Sequence, residues 1–381
     1  MIRIPFSYLF LLLVVAMTPV DDADAGELLL FIGAFASGDD GAIHAYKLTV
    51  ETGQLELVHR TADDVDHPFF LALSSDRKFL YSIHAKKFGN GDREFVSAYE
   101  VVGSSGELKF LNRQPALGSS ACYLDVDATG KTVVVANYLT GNVASFPVQD
   151  NGALGKAVSM IQHVGSSVNS ERQKGPHAHS IVVSPGNRYV YAADLGLDQI
   201  LGYQLDPKTG KLSPNRQAFV RTVPGGGPRH MTFHPNGKVL YVINEILNSI
   251  SVFDHDPRTG VLIERETVPT LPEDFDETSH TADLKVTPDG RFLYGTNRGH
   301  DSLAAYRVGD EGQLSLIEIV PSLGKGPQNL AITPGGELLI CANMAGEGNV
   351  AVFRIDGKTG ELTSVGEVTS MSSPSCIMIW K

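Results

Sequence analysis

Two histidines one residue apart, in the stretch Gly175–Ser180 (GPHAHS), are the first candidates for chemistry in this chain. Side chains two positions apart on a β-strand project from the same face, so His177 and His179 have a spacing that suits a metal ion. A metal needs further ligands, however, and we expect Arg229 and Arg298 to lie nearby, where they would repel a cation. The sequence therefore favours a site without a metal.

Three charged residues, Arg229, Glu245 and Arg298, attract attention because the equivalent positions of the other internal repeats carry no such charge. We interpret them as functional, since a strand end that only needs its backbone capped does not require a charged side chain. By contrast, asparagine recurs in most repeats, and for that series backbone capping is the favoured interpretation. Its members are Asn137, Asn244, Asn297 and Asn343.

Several familiar catalytic motifs are absent from the sequence. It contains no glycine-rich phosphate loop, no G-x-S-x-G turn and no H-E-x-x-H helix motif. Cys122, Cys341 and Cys376 cannot all form pairs, and their spacing matches no zinc module. We expect all three to be buried small apolar side chains, with Cys122 and Cys376 at equivalent positions of two repeats.

The elements that must position these residues are revealed by a turn that recurs seven times. Its first and last glycines, Gly53 and Gly360, are 307 residues apart, which gives a period of about 51. The seven turns are Thr52–Leu55, Ser105–Leu108, Asn151–Leu154, Thr209–Leu212, Thr259–Leu262, Glu311–Leu314 and Thr359–Leu362.

Each period carries three further strand-like stretches, so four antiparallel strands repeat seven times. This predicts an all-β fold, a seven-bladed β-propeller. A linear solenoid is the alternative, but it would need capping repeats at its ends. Instead, residues 28–33 have the pattern of a second strand and residues 374–380 that of a first strand. The two ends are predicted to complete one blade and close the ring, so that residues 26–381 form a single domain.

In such a blade, the start of the first strand and the end of the second strand lie at the same edge. Seven blades bring these points around one mouth of the central channel. The residues predicted there are His67, His84, Asn137, His177, His179, Asp194, Arg229, His230, Asn244, Glu245, His280, Asn297, Arg298, His300, Asp301, Gln328, Asn329 and Asn343. The opposite edge carries turn residues only, so we expect any functional site at this mouth.

Composition narrows the class of protein and of partner. Hydrophobic residues make up 42% and charged residues 19%, which is typical of a globular chain. The 43 acidic and 31 basic residues give a net charge of −12, the wrong sign for binding a phosphate backbone. Nucleic acid is therefore excluded as an expected partner.

The first 25 residues have the layout of a secretory signal peptide. Arg3 precedes an apolar run over residues 6–17, and Ala23-Asp24-Ala25 provides small residues for cleavage. The run is too short to span a bilayer. The sequence predicts cleavage near Ala25 and an exported protein, periplasmic or secreted, with no membrane anchor left after cleavage.

Several of these motifs resemble the seven-bladed propeller lactonases, a family that includes bacterial 6-phosphogluconolactonase and fungal carboxy-muconate cycloisomerase. The resemblance covers essentially all of residues 26–381. It rests on GPHAHS, on Tyr189–Gly196, on Gly227–His230, on Asn244-Glu245 and on Asn297–Ser302. One repeat departs from the family, because Gln328 follows Pro327 where an arginine is common.

The resemblance implies lactone chemistry without a metal or organic cofactor. The implied catalytic residues are His177, His179, Arg229, Glu245 and Arg298. The implied substrate-binding residues are His230, His280, Asn297, His300 and Asn329. Two arginines would hold a carboxylate or phosphate and stabilise an oxyanion, while Glu245 or a neutral histidine would activate water.

The expected partner is a small anionic or sugar lactone, opened by water to its hydroxy acid. An exported enzyme rarely meets a sugar phosphate, so an unphosphorylated or a carboxylated lactone fits as well as a phosphorylated one. Two alternatives stay open: a cycloisomerase that closes a lactone with the same residues, and an exported propeller that only binds a partner. The oligomeric state is not predicted.

Overall fold

Hydrogen bonds pair the strands into seven antiparallel sheets, which we call blades 1 to 7. The computed structural model describes residues 26–63, 65–89 and 94–380. Residues 1–25, for which the sequence predicts a signal peptide, lie outside the described residues. The all-β, seven-bladed propeller with four strands in each blade is confirmed.

Blades 1 to 4 hold the first half of the chain. Their strands are β1 (Glu27–Ala34), β2 (Ala42–Thr49) and β3 (Gln54–Thr61) in blade 1; β4 (Phe70–Leu73), β5 (Phe79–Ala85), β6 (Glu94–Val102) and β7 (Glu107–Pro115) in blade 2; β8 (Ala121–Val126), β9 (Thr132–Asn137), β10 (Asn142–Pro147) and β11 (Ser159–Gln162) in blade 3; and β12 (Ala178–Val183), β13 (Tyr189–Asp194), β14 (Gln199–Leu205) and β15 (Leu212–Arg221) in blade 4.

Blades 5 to 7 follow the same pattern. Their strands are β16 (Pro228–Phe233), β17 (Val239–Asn244), β18 (Ser249–Asp256) and β19 (Val261–Pro269) in blade 5; β20 (His280–Val286), β21 (Phe292–Arg298), β22 (Ser302–Val308) and β23 (Leu314–Pro321) in blade 6; and β24 (Lys325–Ile332), β25 (Leu338–Ala345), β26 (Asn349–Ile355) and β27 (Leu362–Ser364), with the short β28 (Thr369–Ser370), in blade 7. The last strand, β29 (Pro374–Ile379), returns to blade 1.

The two ends of the described chain close the ring, as the sequence predicts. Strand β29 pairs antiparallel with β1 and is the innermost strand of blade 1. Beside it, the indole Nε1 of Trp380 donates a hydrogen bond of 2.6 Å to the carbonyl of Arg77 in blade 2. The innermost strands of neighbouring blades contact one another all the way round, from β29 through β4 to β24.

Burial explains why the second and fourth strands differ in composition. Second strands such as β9 (TVVVAN) and β17 (VLYVIN) are buried at every residue, because neighbouring blades cover both faces. Fourth strands such as β19 alternate between buried or half-buried and exposed residues at the rim of the ring. The hydrophobic core therefore lies between blades.

A repeated tyrosine ties blades 4, 5 and 6 each to the following blade. The hydroxyls of Tyr191, Tyr241 and Tyr294, on the second strands of blades 4 to 6, donate to the carbonyls of Gly260, Gly312 and Gly360 in the following blade, each at 2.9 Å. Those glycines are in the recurring turn and have positive φ, which glycine adopts without steric cost. The turn thus serves both the hairpin and the contact between blades.

Two further predictions can be compared with the fold. All three cysteines are buried and unpaired, as expected. Cys122 and Cys376 are not equivalent, however: the residue equivalent to Cys122 is Ser375, because the pairing of β29 with β1 shifts between Gly33 and Ala34 of β1 and leaves Ser375 unpaired. Within the described residues, no helix is both long and apolar enough to cross a bilayer.

Candidate active site

A β-bulge near the start of the innermost strand aims one side chain into the mouth in several blades. In blade 4, Ala178 pairs with Asp194 and Ser180 with Ala193, so His179 has no partner of its own. The same shift leaves Arg229 unpaired in blade 5. A bulge adds one residue and redirects its side chain at the expense of regular pairing. Cys122 and Gln328 are unpaired in the same way.

These four bulge residues line a cavity of about 320 Å³ at the mouth of the channel. A cavity of this size suits a small molecule. The complete lining is Phe35, Phe69, Phe88, Ser120, Ala121, Cys122, Tyr138, His179, Arg229, Glu245, Arg298, Gln328 and Met344. Four of the five residues that the sequence assigns to catalysis are among them.

Three arginines converge on the carboxylate of Glu245. Arg229 Nε lies 3.0 Å and Arg298 Nη2 2.9 Å from Glu245 Oε2, and Arg172 Nη2 lies 2.6 Å from Oε1. Glu245 and Arg229 are almost fully buried, with exposed fractions of 6% and 2%. Charge-assisted hydrogen bonds of this kind fix both partners in one geometry.

The arginines keep Glu245 ionised. Burial alone would raise the pKa of Glu245, but the charges of Arg298 and Arg229 hold it far below its ordinary value. Burial and the charge of Arg298 lower the pKa of Arg229 to about 10, so this guanidinium stays charged at neutral pH. Three guanidinium groups and one carboxylate leave two positive charges, which favours an anionic ligand.

His179 is the uncharged histidine of the cavity. Burial first, and then the charge of Arg229, lower its pKa well below the ordinary value for histidine. Its Nε2 lies 3.9 Å from Glu245 Oε2, which is too far for a hydrogen bond. An uncharged imidazole with this nitrogen uncommitted can accept a proton.

A second polar cluster lies beneath the cavity, inside the channel. His230 Nδ1 is 2.9 Å from Asp283 Oδ1, while its Nε2 is 3.1 Å from Arg229 Nη1. Asp283 Oδ2 also accepts from Lys285 Nζ at 2.7 Å and from Asn329 Nδ2 at 2.8 Å. Burial and Arg229 lower the pKa of His230 to about 3. His230 and Asn329 therefore support the site from below and do not line it.

The loop between β11 and β12 supplies Arg172, and a buried carboxylate holds that loop in place. Asp198 accepts hydrogen bonds from Ser167 Oγ at 2.5 Å and from Gln173 Nε2 at 2.7 Å, one on each side of Arg172. It also accepts from the backbone N–H of Gly227, two residues before Arg229, at 2.8 Å. One side chain thus fixes the positions of two of the three arginines.

The strand alternation from which His177 and His179 are predicted to share a face does not apply at these two residues. Strand β12 begins after His177 and its bulge falls at His179. The His177 ring stacks on Tyr138 at 4.6 Å, and the His179 ring meets the same tyrosine in an edge-to-face contact at 5.2 Å. Only His179 lines the cavity.

Three other predicted substrate-binding residues also lie off the cavity. Asn297 is fully buried and donates to the carbonyl of Thr270 at 2.8 Å, so it caps backbone as Asn137 and Asn343 do. Asn244 differs, because it donates to the hydroxyls of Ser249 and Ser251. His300 Nδ1 lies 2.7 Å from Ser302 Oγ. His280 lines an adjoining groove, which shares Arg298 with the cavity.

Sequence reasoning missed several lining or neighbouring side chains. Arg172 has one signal in the sequence: the spacing of 58 residues from Gly152 to Gly210 is the longest between recurring turns, which marks an insertion. Tyr138 and the phenylalanines Phe35, Phe69 and Phe88 carry no such signal, because aromatic residues near strand ends are common. In the described part of the chain, no three His, Cys, Asp or Glu side chains are grouped so as to hold a metal ion.

Comparison with known proteins shows what this chain is similar to. Residues 29–379 match the family described as "Lactonase, 7-bladed beta-propeller". The chain is 36% identical over 349 residues to a 6-phosphogluconolactonase of Bacillus subtilis, covering 91% of this chain and 97% of the relative. It is 29% identical over 357 residues to a 6-phosphogluconolactonase of Formosa agariphila, covering 92% of this chain and 99% of that relative.

Among solved structures, the periplasmic gluconolactonase of Pseudomonas aeruginosa superposes with a TM-score of 0.86. The two sequences are 28% identical, and the match covers 93% of this chain and 99% of the other. Fold and chain length thus agree over the whole ring.

Proposed function

Because this chain belongs to the seven-bladed β-propeller lactonases, we propose that it hydrolyses an anionic or sugar lactone to the hydroxy acid at the mouth of its channel. The observation that carries the proposal is the convergence of Arg172, Arg229 and Arg298 on Glu245 beside a neutral His179. Relatives named 6-phosphogluconolactonase and gluconolactonase make sugar lactones the first substrates to test.

The arginines bind the anion and stabilise the charge that develops on the carbonyl oxygen. Arg229 Nη2 has no hydrogen-bond partner among the described residues, and Arg298 Nη1 has only a long contact of 3.3 Å to Gln328. Donors left free in a buried, rigid arrangement interact strongly with an oxyanion. In this mechanism Glu245 keeps the guanidinium groups in place and remains ionised.

His179 acts as the general base, because its Nε2 has no hydrogen-bond partner among the described residues, whereas both oxygens of the Glu245 carboxylate already accept from the three arginines. Its Nε2 accepts a proton from water as the water oxygen bonds to the lactone carbonyl carbon. The tetrahedral intermediate then collapses, the ring C–O bond breaks, and the proton passes from His179 to the departing alkoxide oxygen. The net reaction adds one water to one lactone.

The test is lactone-ring opening followed in a pH-stat, with spontaneous hydrolysis subtracted. The substrates are gluconolactone, 6-phosphogluconolactone and a carboxylated muconolactone. We expect His179→Gln to lower kcat by about 100-fold or more, because a general base contributes that much. Arg298→Ala should raise KM and also lower kcat, because it removes both a ligand of the anion and a donor to the oxyanion.

The matched control is His59→Gln, which changes a histidine on the outer strand β3 of blade 1 and should leave the rate unchanged. Ring closure of an unsaturated diacid without uptake of water would indicate the cycloisomerase instead. A folded protein that opens none of the lactones would overturn hydrolysis and favour the binding module.

We further propose that residues 1–25 direct export and are removed near Ala25, after which no membrane anchor remains. The signal-like sequence supports this, as does the similarity to a protein described as a periplasmic gluconolactonase. Export would bring the enzyme into contact with lactones outside the cytoplasm.

A further inference from the structure

We propose that the lactone opened at this site carries an apolar substituent beside its anionic group, and that Phe35, Phe69 and Phe88 form the subsite for it. This inference rests on the proposed function, because it concerns the same cavity. It goes further by assigning a chemical class to the part of the substrate that the arginines do not hold.

The cavity has two chemically different sides. Phe35 follows β1 of blade 1, and Phe69 and Phe88 flank β4 and β5 of blade 2. Arg229 and Glu245 belong to blade 5, on the far side of the seven-membered ring. A ligand that fills the cavity therefore meets positive charge on one side and aromatic rings on the other.

The three phenylalanines form one preassembled surface. The ring centroid of Phe35 lies 5.1 Å from that of Phe69 and 5.4 Å from that of Phe88, and those of Phe69 and Phe88 are 6.1 Å apart. Each ring is only half-buried. Apolar surface left open to water in a binding cavity is stabilised when a ligand covers it, and an aromatic group gains a further ring contact.

Few side chains in the cavity can form hydrogen bonds with a ring that carries many hydroxyls. Among the lining residues of the described chain, the neutral hydrogen-bonding side chains are Ser120, Tyr138 and Gln328, apart from His179. Tyr138 accepts from Arg172 at 3.5 Å, and Gln328 accepts from Arg298 at 3.3 Å. Hydroxyls placed against the phenylalanines would lose their hydrogen bonds to water without replacement.

The test compares three diacids that share one five-carbon backbone and cannot be hydrolysed. Glutarate has no substituent, 3-phenylglutarate carries an aromatic ring, and xylarate carries three hydroxyls. Calorimetric titration of the purified protein gives the Kd of each. We expect 3-phenylglutarate to bind about tenfold more tightly than glutarate, the gain typical of one well-packed aromatic contact. Xylarate should bind no better than glutarate.

Substitution then locates the subsite. Phe88→Ala should remove most of the tenfold gain, so that 3-phenylglutarate binds nearly as weakly as glutarate. Phe69→Leu, which keeps an apolar side chain, should remove part of the gain. Phe219→Ala is the matched control, because Phe219 is a half-exposed phenylalanine on the outer strand β15. It should leave both values as in the wild type.

Three results would overturn the inference: equal binding of glutarate and 3-phenylglutarate, tighter binding of xylarate than of 3-phenylglutarate, or an equal loss of all three in Phe88→Ala. These outcomes are independent of turnover. If the protein opens lactones but shows no preference for the phenyl group, the proposed function stands and the subsite is overturned. If the protein prefers 3-phenylglutarate yet opens no lactone, the apolar subsite stands and hydrolysis is overturned.

Discussion

At the scale of single residues, the neighbours of Glu245 determine its ionisation. A carboxylate that accepts from three arginines is a strong acid, and it also prevents those arginines from repelling one another. The buried guanidinium of Arg229 needs this counter-charge, since a charge without a partner in the interior is strongly destabilising. Burial, and then the charge of Arg229, keep His179 and His230 neutral.

Acid should therefore destabilise the protein. His179 and His230 have pKa values lowered in the folded state, whereas in the unfolded chain they take up protons below about pH 6.5. Their contribution to stability is fully present above that pH and is lost as the pH falls towards the folded values. We expect His230 alone to account for about 3 kcal/mol between pH 7 and pH 4. Denaturant unfolding at several pH values measures this change in the free energy of unfolding.

His230→Gln should be less stable at pH 7 but should lose less stability on acidification than the wild type. His59→Gln on an outer strand should keep the wild-type dependence on pH. A free energy of unfolding that stays level, or rises, from pH 7 to pH 4 would contradict the neutral assignment.

Some site residues could be predicted from the sequence because they interrupt a repeat. Arg229, Glu245 and Arg298 are charged where other blades are not, and the cavity brings them together. Arg172 lies in an inserted loop with no counterpart to compare, and its contact with Glu245 depends on how Asp198 folds that loop. Sequence spacing holds no information about such a tertiary contact.

At the scale of elements, the bulge of the innermost strand decides which side chains face the ligand. Period-two alternation predicted the strands correctly but failed at their first residues, where the bulge inserts an unpaired position. Of the pair His177 and His179, only His179 lines the cavity. Because a bulge residue takes no regular place in the ladder, its side chain can change without disturbing the blade. The same backbone geometry therefore presents four different side chains to the cavity, those of Cys122, His179, Arg229 and Gln328.

The tyrosine that ties neighbouring blades offers a test at this scale. Tyr241→Phe removes the hydrogen bond to the carbonyl of Gly312 and leaves that buried carbonyl without its side-chain partner. We expect the free energy of unfolding to fall by about 1–2 kcal/mol. Chemical denaturation measures the change. Because Tyr241 lies outside the cavity lining, kcat/KM should be unaffected, and a large loss of activity would show that the contact between blades shapes the site.

At the scale of the whole molecule, processing of the chain is the open prediction. When the full chain is produced in a bacterium that exports proteins, we expect the purified protein to begin at about Gly26, because Ala23 and Ala25 suit signal peptidase. Intact-mass measurement shows this directly. Replacing both alanines by leucine should cause the precursor to accumulate. A protein that still begins at Met1 after export would contradict cleavage.

The closure of blade 1 by β29 also determines when this protein can fold. Strands β1 and β29 pair across almost the full length of the chain, with Leu30 opposite Ile379. Contacts so distant in sequence give a topology of high contact order, which forms slowly. Until β29 has left the ribosome, β1 has an unpaired inner edge. The ring can therefore close only after almost all of the described chain has been synthesised, and a chaperone that covers this edge would protect the chain from edge-to-edge association until then.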